Sequence, residues 1–415
     1  MTFMRFTSGI SDAVTAREAA DDACRQVAAQ LSGGSCDLAC LFVSPAYRAT
    51  WPDLLAFIHE RLRPRTLIGC SGSGIIGGAQ EFEWVPAVSI LAAHLPEVRL
   101  FPFAVTPKEL ADSSPGGFWV DKIGASPEAR TAFVLLADPY TCQTPKLIAE
   151  LNATYRARPI IGGLVSGGTS PGEHLLFLNT TVHRDGAVGV AMAGNITMDT
   201  VVSQGCRPVG RPYVVTKAEE QAVLELGGRQ ALAVLHDVLS ALSPGDRQLA
   251  QRGSIFAGVA MSEMRQRFGS GDFLIRNIVG IDPELGALAI AEGAEVGQTI
   301  QFQLRDPATS RQELRRLLQQ QLTPHPLPPA GCLLFNCAGR GKSLYGAAHQ
   351  DVRLIQTVSG KLPIGGLFCN GEIGPAHGTN FLHGYTASLA LFRPLHISAH
   401  QPAASVAHGE APRRP

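Results

Sequence analysis

Charge is scarce in this sequence. Asp, Glu, Lys and Arg make up 17% of its 415 residues, and the two signs balance at 35 each. A nucleic-acid binder needs a basic surplus or a basic face, so no nucleic-acid partner is expected. No block of like charge is long enough for a polybasic membrane anchor. Long hydrophobic runs are missing as well. The longest, such as AFVLLA at 132–137, are strand-sized, whereas a membrane helix needs about 20 apolar residues. No membrane insertion is therefore expected. The N-terminal stretch lacks the apolar core of a secretory signal and turns acidic early, which points to a cytoplasmic location. Nine Cys are present but no Cys-x-x-Cys pair. Cys36 and Cys40 have no His or Cys pair following at zinc spacing, so no metal site is expected. An odd number of Cys, mostly inside apolar runs, reads as buried reduced thiols.

What is present is apolar. Hydrophobic residues make up 45% of the chain, enough for a large core, and the length calls for two or three lobes. One pattern recurs three times. LACLFV (38–43) is followed by a helical stretch at 53–62 and then TLIGC (66–70). AFVLLADPY (132–140) is followed by a helical stretch at 144–155 and then PIIGGLVSGG (159–168). GCLLFNCAGRG (331–341) is followed by a helical stretch at 342–359 and then PIGGLFCNGEIG (363–374). Short continuous apolar runs suit strands buried on both faces, as in parallel sheets. From Leu41 to Gly69, Val134 to Gly162 and Leu334 to Gly365 the separations are 28, 28 and 31 residues, the length of a βαβ crossover. IGGL recurs at 161–164 and 364–367.

Other segments fill the gaps. A first helix is predicted over 13–31, capped by Ser11 or Asp12. Residues 88–95 and 98–105 read as strands. Residues 174–179 and 186–194 read as an antiparallel pair about a turn at 183–186. From 205 onward, strands near 213–216, 273–282, 287–297 and 299–306 suggest a mixed or antiparallel sheet, with helices at 229–242 and 310–322. The reading is thus an α/β fold, mixed α+β, with βαβ-type units in mixed sheets and two lobes. The predicted organisation is an N-terminal helix region (1–34), a first domain (35–204), a second domain (205–395) and a disordered tail (396–415).

Three Gly-rich strand ends carry the candidate chemistry. GCSGSGIIGG (69–78) offers backbone N–H groups at Ser71, Gly72 and Ser73 for a small ligand, or simply a tight turn. It is no Walker A loop. Its G-x-G-x-x-G at 72–77 continues as loop rather than helix, so dinucleotide binding is not expected. Arg340, in FNCAGRG, follows a strand end, where open α/β sheets bind ligands, and Arg grips carboxylates bidentately. Asn370 and Glu372 leave the last of these strands into a turn. Arg340 and Glu372 together would match a zwitterion such as an amino acid. The alternative is an internal ion pair of Arg340 with Glu372 or an Asp. Arg276 alternates with apolar neighbours, facing either solvent or a cleft. Cys337 or Cys369 with His383 could form a nucleophile and base, but no nucleophile elbow supports it, and no catalytic residue is assigned.

The ordered set of these motifs resembles the FIST family. GCSGSGIIGG, the DPY at 138–140 and IIGGLVSGG look like its N-terminal domain. GCRPVG (205–210), GDFLIRNIVGID (271–282), the RD at 305–306, LLFNCAGRG, GGLFCNGEIGP and LHGYTASLAL look like its C-terminal domain. The resemblance spans roughly 35–392. It implies a sensory module that binds a small ligand, an amino acid or derivative, and signals through a separate partner protein, since no fused transmitter is visible. It also admits a haem-based nitric oxide sensor, with His174, His236, His349 or His383 as axial ligand, although the residues themselves call for no cofactor. A thiol-dependent enzyme is the third reading.

Overall fold

The computed structural model describes residues 3–262, 268–269 and 271–396. The tail expected from 396 onward lies outside the described residues from 397. Its organising element is the buried apolar strand. Leu38–Val43, Thr131–Ala137 and Gly331–Cys337 are buried along nearly their whole length, because each is covered on both faces.

Three units share one order of elements. The first runs β1 (Arg5–Ser11), α1 (Ala16–Leu31), β2 (Leu38–Val43), α2 (Trp51–Leu62), β3 (Thr66–Ser71), a hairpin of β4 (Gly74–Gly77) and β5 (Gln80–Glu83), then β6 (Val88–His94). The second runs β7 (Val98–Val105), α3 (Pro107–Asp112), α4 (Gly117–Ile123), β8 (Thr131–Ala137), α5 (Thr144–Thr154), β9 (Ile160–Leu164), a hairpin of β10 (Leu176–Leu178) and β11 (Thr181–His183), then β12 (Ala187–Gly194). The third opens with β13 (Thr197–Ser203) and is interrupted by an insert. The insert comprises β14 (Cys206–Pro208), β15 (Tyr213–Glu219), β16 (Ala222–Leu226), β17 (Arg229–Gln230), α6 (Ala231–Ser240), α7 (Pro244–Gln251), β18 (Ile255–Ala260), β19 (Phe273–Arg276), β20 (Ile278–Asp282), β21 (Ala287–Ile290) and β22 (Thr299–Arg305). The unit then resumes with α8 (Pro307–Leu322), β23 (Gly331–Cys337), α9 (Lys342–Tyr345), α10 (Gln350–Ser359), β24 (Ile364–Cys369), a hairpin of β25 (Glu372–Ala376) and β26 (Thr379–His383), and β27 (Ala387–Arg393).

Each unit centres on a parallel pair: β2 with β3, β8 with β9, and β23 with β24. The hairpins do not stay at home. β4 pairs with β24 of the third unit, β10 with β3 of the first, and β25 with β9 of the second. Every unit thus hands its hairpin to another, and the exchange closes in a ring of three. The result is three six-stranded mixed sheets, each incomplete without a neighbour's strands.

Alternation along the strands sets the layers. Cys40 and Phe42, Val134 and Leu136, and Leu333 and Phe335 all point into one shared core. There Phe42 meets Phe335 edge-on, with centroids 6.2 Å apart. The intervening Leu41, Leu135 and Leu334 point outward, under α1 and α2, under α3 to α5, and under α8 and α10. A glycine sits beside each of these three leucines. A Cβ on Gly69, Gly162 or Gly366 would lie 2.1, 1.7 or 1.8 Å from the carbonyl oxygen of Leu41, Leu135 or Leu334. Close pairing of the parallel strands therefore requires glycine at all three places. The matched positions put the sequence correspondence one residue further on in two units, at Leu135 rather than Val134 and at Gly366 rather than Gly365.

The insert is a second lobe. Its nine strands form one sheet with its own apolar core under α6. The chain passes between it and the three-sheet lobe near 203–206 and 305–306, and beside these crossings Cys206, Phe256, Phe273, Ile275 and Tyr385 pack together. Among the described residues no helix is long and apolar enough to cross a membrane.

Three local expectations are corrected. Residues 174–179 do not pair with 186–194. Their hairpin turns earlier, at Asn179, whose left-handed φ of 52° closes a two-residue loop between Leu178 and Thr181. β12 pairs with β7 and β8 instead. The first helix is capped by Thr15, whose side chain accepts from the Glu18 N–H, because Ser11 still belongs to strand β1 and the helix begins only at Ala16. The 342–359 stretch is two helices, broken where Gly346 and His349 take positive φ.

Candidate functional site

Where the insert meets the third unit there is a cleft of 380 Å³. The insert supplies Arg276, Asn277 and Glu292, next to one another across β19 to β21. The three-sheet lobe supplies Cys337 and Gly339 after β23, Asn370 and Glu372 after β24, and His383 and Tyr385 before β27. These are carboxyl ends of the parallel strands β23 and β24, where side chains and loop backbone converge.

Glu372 is fully buried. One carboxyl oxygen accepts from the Thr386 backbone N–H and hydroxyl, both at 2.9 Å. The other, Oε1, has no partner. Burial pushes this carboxyl up to about 8, against the two Thr386 bonds and the nearby charges of Arg305 and Arg340, which pull it down. Near neutral pH it is largely an acid with a free lone pair. Asn370 is exposed on the rim, and its side-chain amide donates to the Val165 carbonyl at 3.1 Å. Across the cleft, the Arg276 guanidinium meets Glu292 at 2.7 Å and the Leu382 carbonyl at 3.4 Å. Cys337 is only half-buried, unlike the other eight Cys. Burial and the neighbouring Glu372 push its thiol up to about 11, so it stays protonated and is a poor nucleophile.

The other sequence-nominated residues lie elsewhere. Arg340 is fully buried behind the cleft. Its Nε and Nη2 grip Asp351 at 2.8 and 2.9 Å, and Nη2 also reaches the Tyr345 hydroxyl at 2.7 Å. Tyr345 and Asn336 donate to the same carboxylate. Burial would raise Asp351, but Arg340 and these donors outweigh it and hold it below the usual carboxylate range. Of the two internal pairings weighed for Arg340, the structure has the one with an Asp. Ser71, Gly72 and Ser73 sit between units. The Ser71 hydroxyl accepts from the Leu175 N–H, the Gly72 N–H donates to the Val43 carbonyl, and the Ser73 N–H and hydroxyl both reach the Ser166 hydroxyl. This turn closes the contact between the first two units and does not line the cleft. The structure therefore brings Asn370 and Glu372 together and sets Arg340 and the Ser71–Ser73 turn apart from them.

An axial haem ligand needs a free ring nitrogen. His174 uses both of its nitrogens, one with Asp138 at 2.9 Å and one accepting from the Gly168 N–H. His349 Nδ1 accepts from the Glu81 N–H, and His236 is exposed on α6. His383 donates Nε2–H to the Gly374 carbonyl at 3.0 Å and leaves Nδ1 unpartnered. Burial pushes it down to about 4, so it is neutral. It lines the cleft, with Nδ1 itself buried. As a base for Cys337 it would face a thiol that burial keeps protonated.

The sequence left the orientation of Arg276 undecided and gave Arg305, Tyr385 and Glu292 no binding role, although GDFLIRNIVGID, the RD at 305–306 and LHGYTASLAL carry the first three of these four as motif residues. Arg276, Glu292 and Tyr385 line the cleft through the packing of the insert on the third unit.

Comparison with known proteins matches residues 37–229 to the FIST N domain and residues 231–375 to the FIST C domain. An uncharacterized protein of Mycobacterium tuberculosis is 39% identical over 389 residues, which cover 94% of this chain and 100% of the relative. An uncharacterized protein of Mycobacterium bovis is 37% identical over 389 residues, covering 94% and 99%. A solved structure described as cyanuric acid hydrolase, "evolutionary innovation by structural concatenation", covers 94% of this chain and 100% of its own at 8% identity. Its TM-score of 0.33 carries no argument.

Proposed function

The chain belongs to the FIST family, whose domains are small-ligand-binding sensory domains, and on that premise we propose that it senses an amino acid or a derivative in the cleft between its two lobes. The observation that carries this is Glu372, a buried carboxyl with an unpartnered oxygen, Oε1, among the residues lining a cleft of ligand size that Arg276 also lines. An ammonium placed beside Oε1 would draw Glu372 into its charged form and pair with it. Asn370 offers amide contacts at the rim. A ligand touching both walls would change how the insert sits on the three-sheet lobe, and that change is the signal. As part of the same proposal, the protein works in the cytoplasm and passes the signal to a separate partner.

The test is a thermal-shift screen with amino acids and their derivatives. A ligand at about 100 times its Kd adds about 2.7 kcal/mol of stability, and Glu372→Gln should abolish that gain. An amine-free set of metabolites giving the only shifts would sink the amino-acid reading. The haem reading has its own readout. A Soret band on haem titration, lost in His383→Ala, would favour it through the free Nδ1 of His383.

A further inference from the structure

Three guanidinium groups surround this cleft, and two of them are neutralised. Arg276 has Glu292 and Arg340 has Asp351. Arg305, at the end of β22, has no carboxylate partner among the described residues and is only 6% exposed. Its Nε has no hydrogen-bond partner. Its Nη2 reaches only the Tyr385 carbonyl, at 3.5 Å, and its carbon centre lies 5.0 Å over the Tyr385 ring. A guanidinium has five N–H donors and is always charged. Burying one with so few partners is costly, because the charge loses water and gains no anion in return.

Arg305 does not itself line the cleft, and the cleft approaches it at Gly339. Gly339 lines the cleft, and a Cβ built on it would lie 3.2 Å from Arg305 Nη1. The missing side chain leaves the space beside Nη1 open. Tyr385, on which the guanidinium is stacked, lines the same cleft. Glu372, an acid that lines the cleft and whose charge Arg305 favours, is not within ion-pair distance of it, and its own free oxygen lacks a donor.

We propose that Arg305 is the anion receptor of the cleft, so that the ligand carries a small monoanionic head, a carboxylate, which enters past Gly339 and pairs with the guanidinium stacked on Tyr385. This rests on the cleft being the ligand site. It adds the group that holds the acid end and leaves Glu372 for the amine. Arg340, which the sequence nominated for the carboxylate, already has one in Asp351.

The full chain is crystallised and soaked in sodium bromide, a general anion probe, and anomalous density is measured. A bromide peak within hydrogen-bond reach of Arg305 is expected, absent in Arg305→Gln and weakened in Gly339→Ala, whose methyl stands in the approach. No peak at Arg305 in the wild type overturns the assignment. In solution, binding of L-alanine and its matched amide, L-alaninamide, is compared in the same three proteins. Wild type should prefer the acid by roughly 10- to 100-fold, the span expected for charged hydrogen bonds, and both variants should lose that preference. Gly339→Ala keeps the test alive should Arg305→Gln fail to fold. Alanine bound equally by wild type and Arg305→Gln sinks this assignment and leaves the amino-acid reading standing. Bromide at Arg305 with no amino acid bound does the reverse.

Discussion

Replacing Glu372 by Gln should stabilise the ligand-free protein, and by more as the pH rises. The wild-type carboxyl is raised from 4.5 to about 8 by burial. Between those values the unfolded chain has released its proton and the folded chain has not. The folded state therefore holds more protons, and stability falls with rising pH across that window. Below about 4.5 there is no penalty, and above about 8 it is complete. Three and a half units at 1.36 kcal/mol each give about 5 kcal/mol at most. Gln has the right shape for the site. Its amide oxygen can take the two Thr386 bonds, and its NH₂ can replace the unpartnered oxygen. Of the titratable groups beside this carboxyl, Cys337, pushed up to about 11, and Cys369, pushed well above its ordinary range, stay protonated across the window, and His383, opposite Glu372 and pushed down to about 4, is present alike in both proteins. The assay is thermal unfolding of both proteins from pH 4 to 9. For a chain of this size the gap in Tm should open from near zero to about 5 °C, taking about 1 °C per kcal/mol from the average unfolding entropy. A gap that stays constant with pH, or that favours wild type at pH 8, would refute the reasoning.

Other expectations follow from the same geometry. Gly162→Ala should cost more than about 3 kcal/mol, read by denaturant unfolding, since its Cβ would strike the Leu135 carbonyl. Asp351→Asn should cost about 3–5 kcal/mol, because Arg340 would remain buried without its counter-charge. In a thiol titration of the native protein, Cys337 should react first and slowly, and the other eight Cys should react only on unfolding. If the bound ligand's ammonium draws Glu372 into its charged form, binding should release a proton. Affinity should then rise up to tenfold per pH unit below about 8 and level off above it, as calorimetry in buffers of different ionisation enthalpy would show.

The apolar strands and their glycines were legible in the sequence, because a strand buried on both faces must be apolar throughout and a close parallel pair must admit no Cβ. The register of the repeat was off by one in two units. Neighbouring residues such as Val134 and Leu135, or Gly365 and Gly366, look alike until it is known which faces the core. The exchanged hairpins were not legible. β4 follows β3 directly, yet its partner β24 lies nearly 300 residues away, and nothing local encodes that choice. Asn370 and Glu372 could be nominated because they leave a strand end. Arg340 leaves one too, but the acid that claims it, Asp351, sits on a helix eleven residues on and turns it inward. Arg305 stood out only as part of the RD motif at 305–306, and nothing local pointed to a binding role, since its position beside Gly339 exists only once the insert docks.

The amino acid that gives the largest thermal shift should be co-crystallised with the full chain. Density is predicted in the cleft, with the amino group within hydrogen-bond distance of Glu372 Oε1 and the carboxylate on the Arg305 side, beside Gly339. Density elsewhere on the molecule, with the cleft empty, would contradict the account.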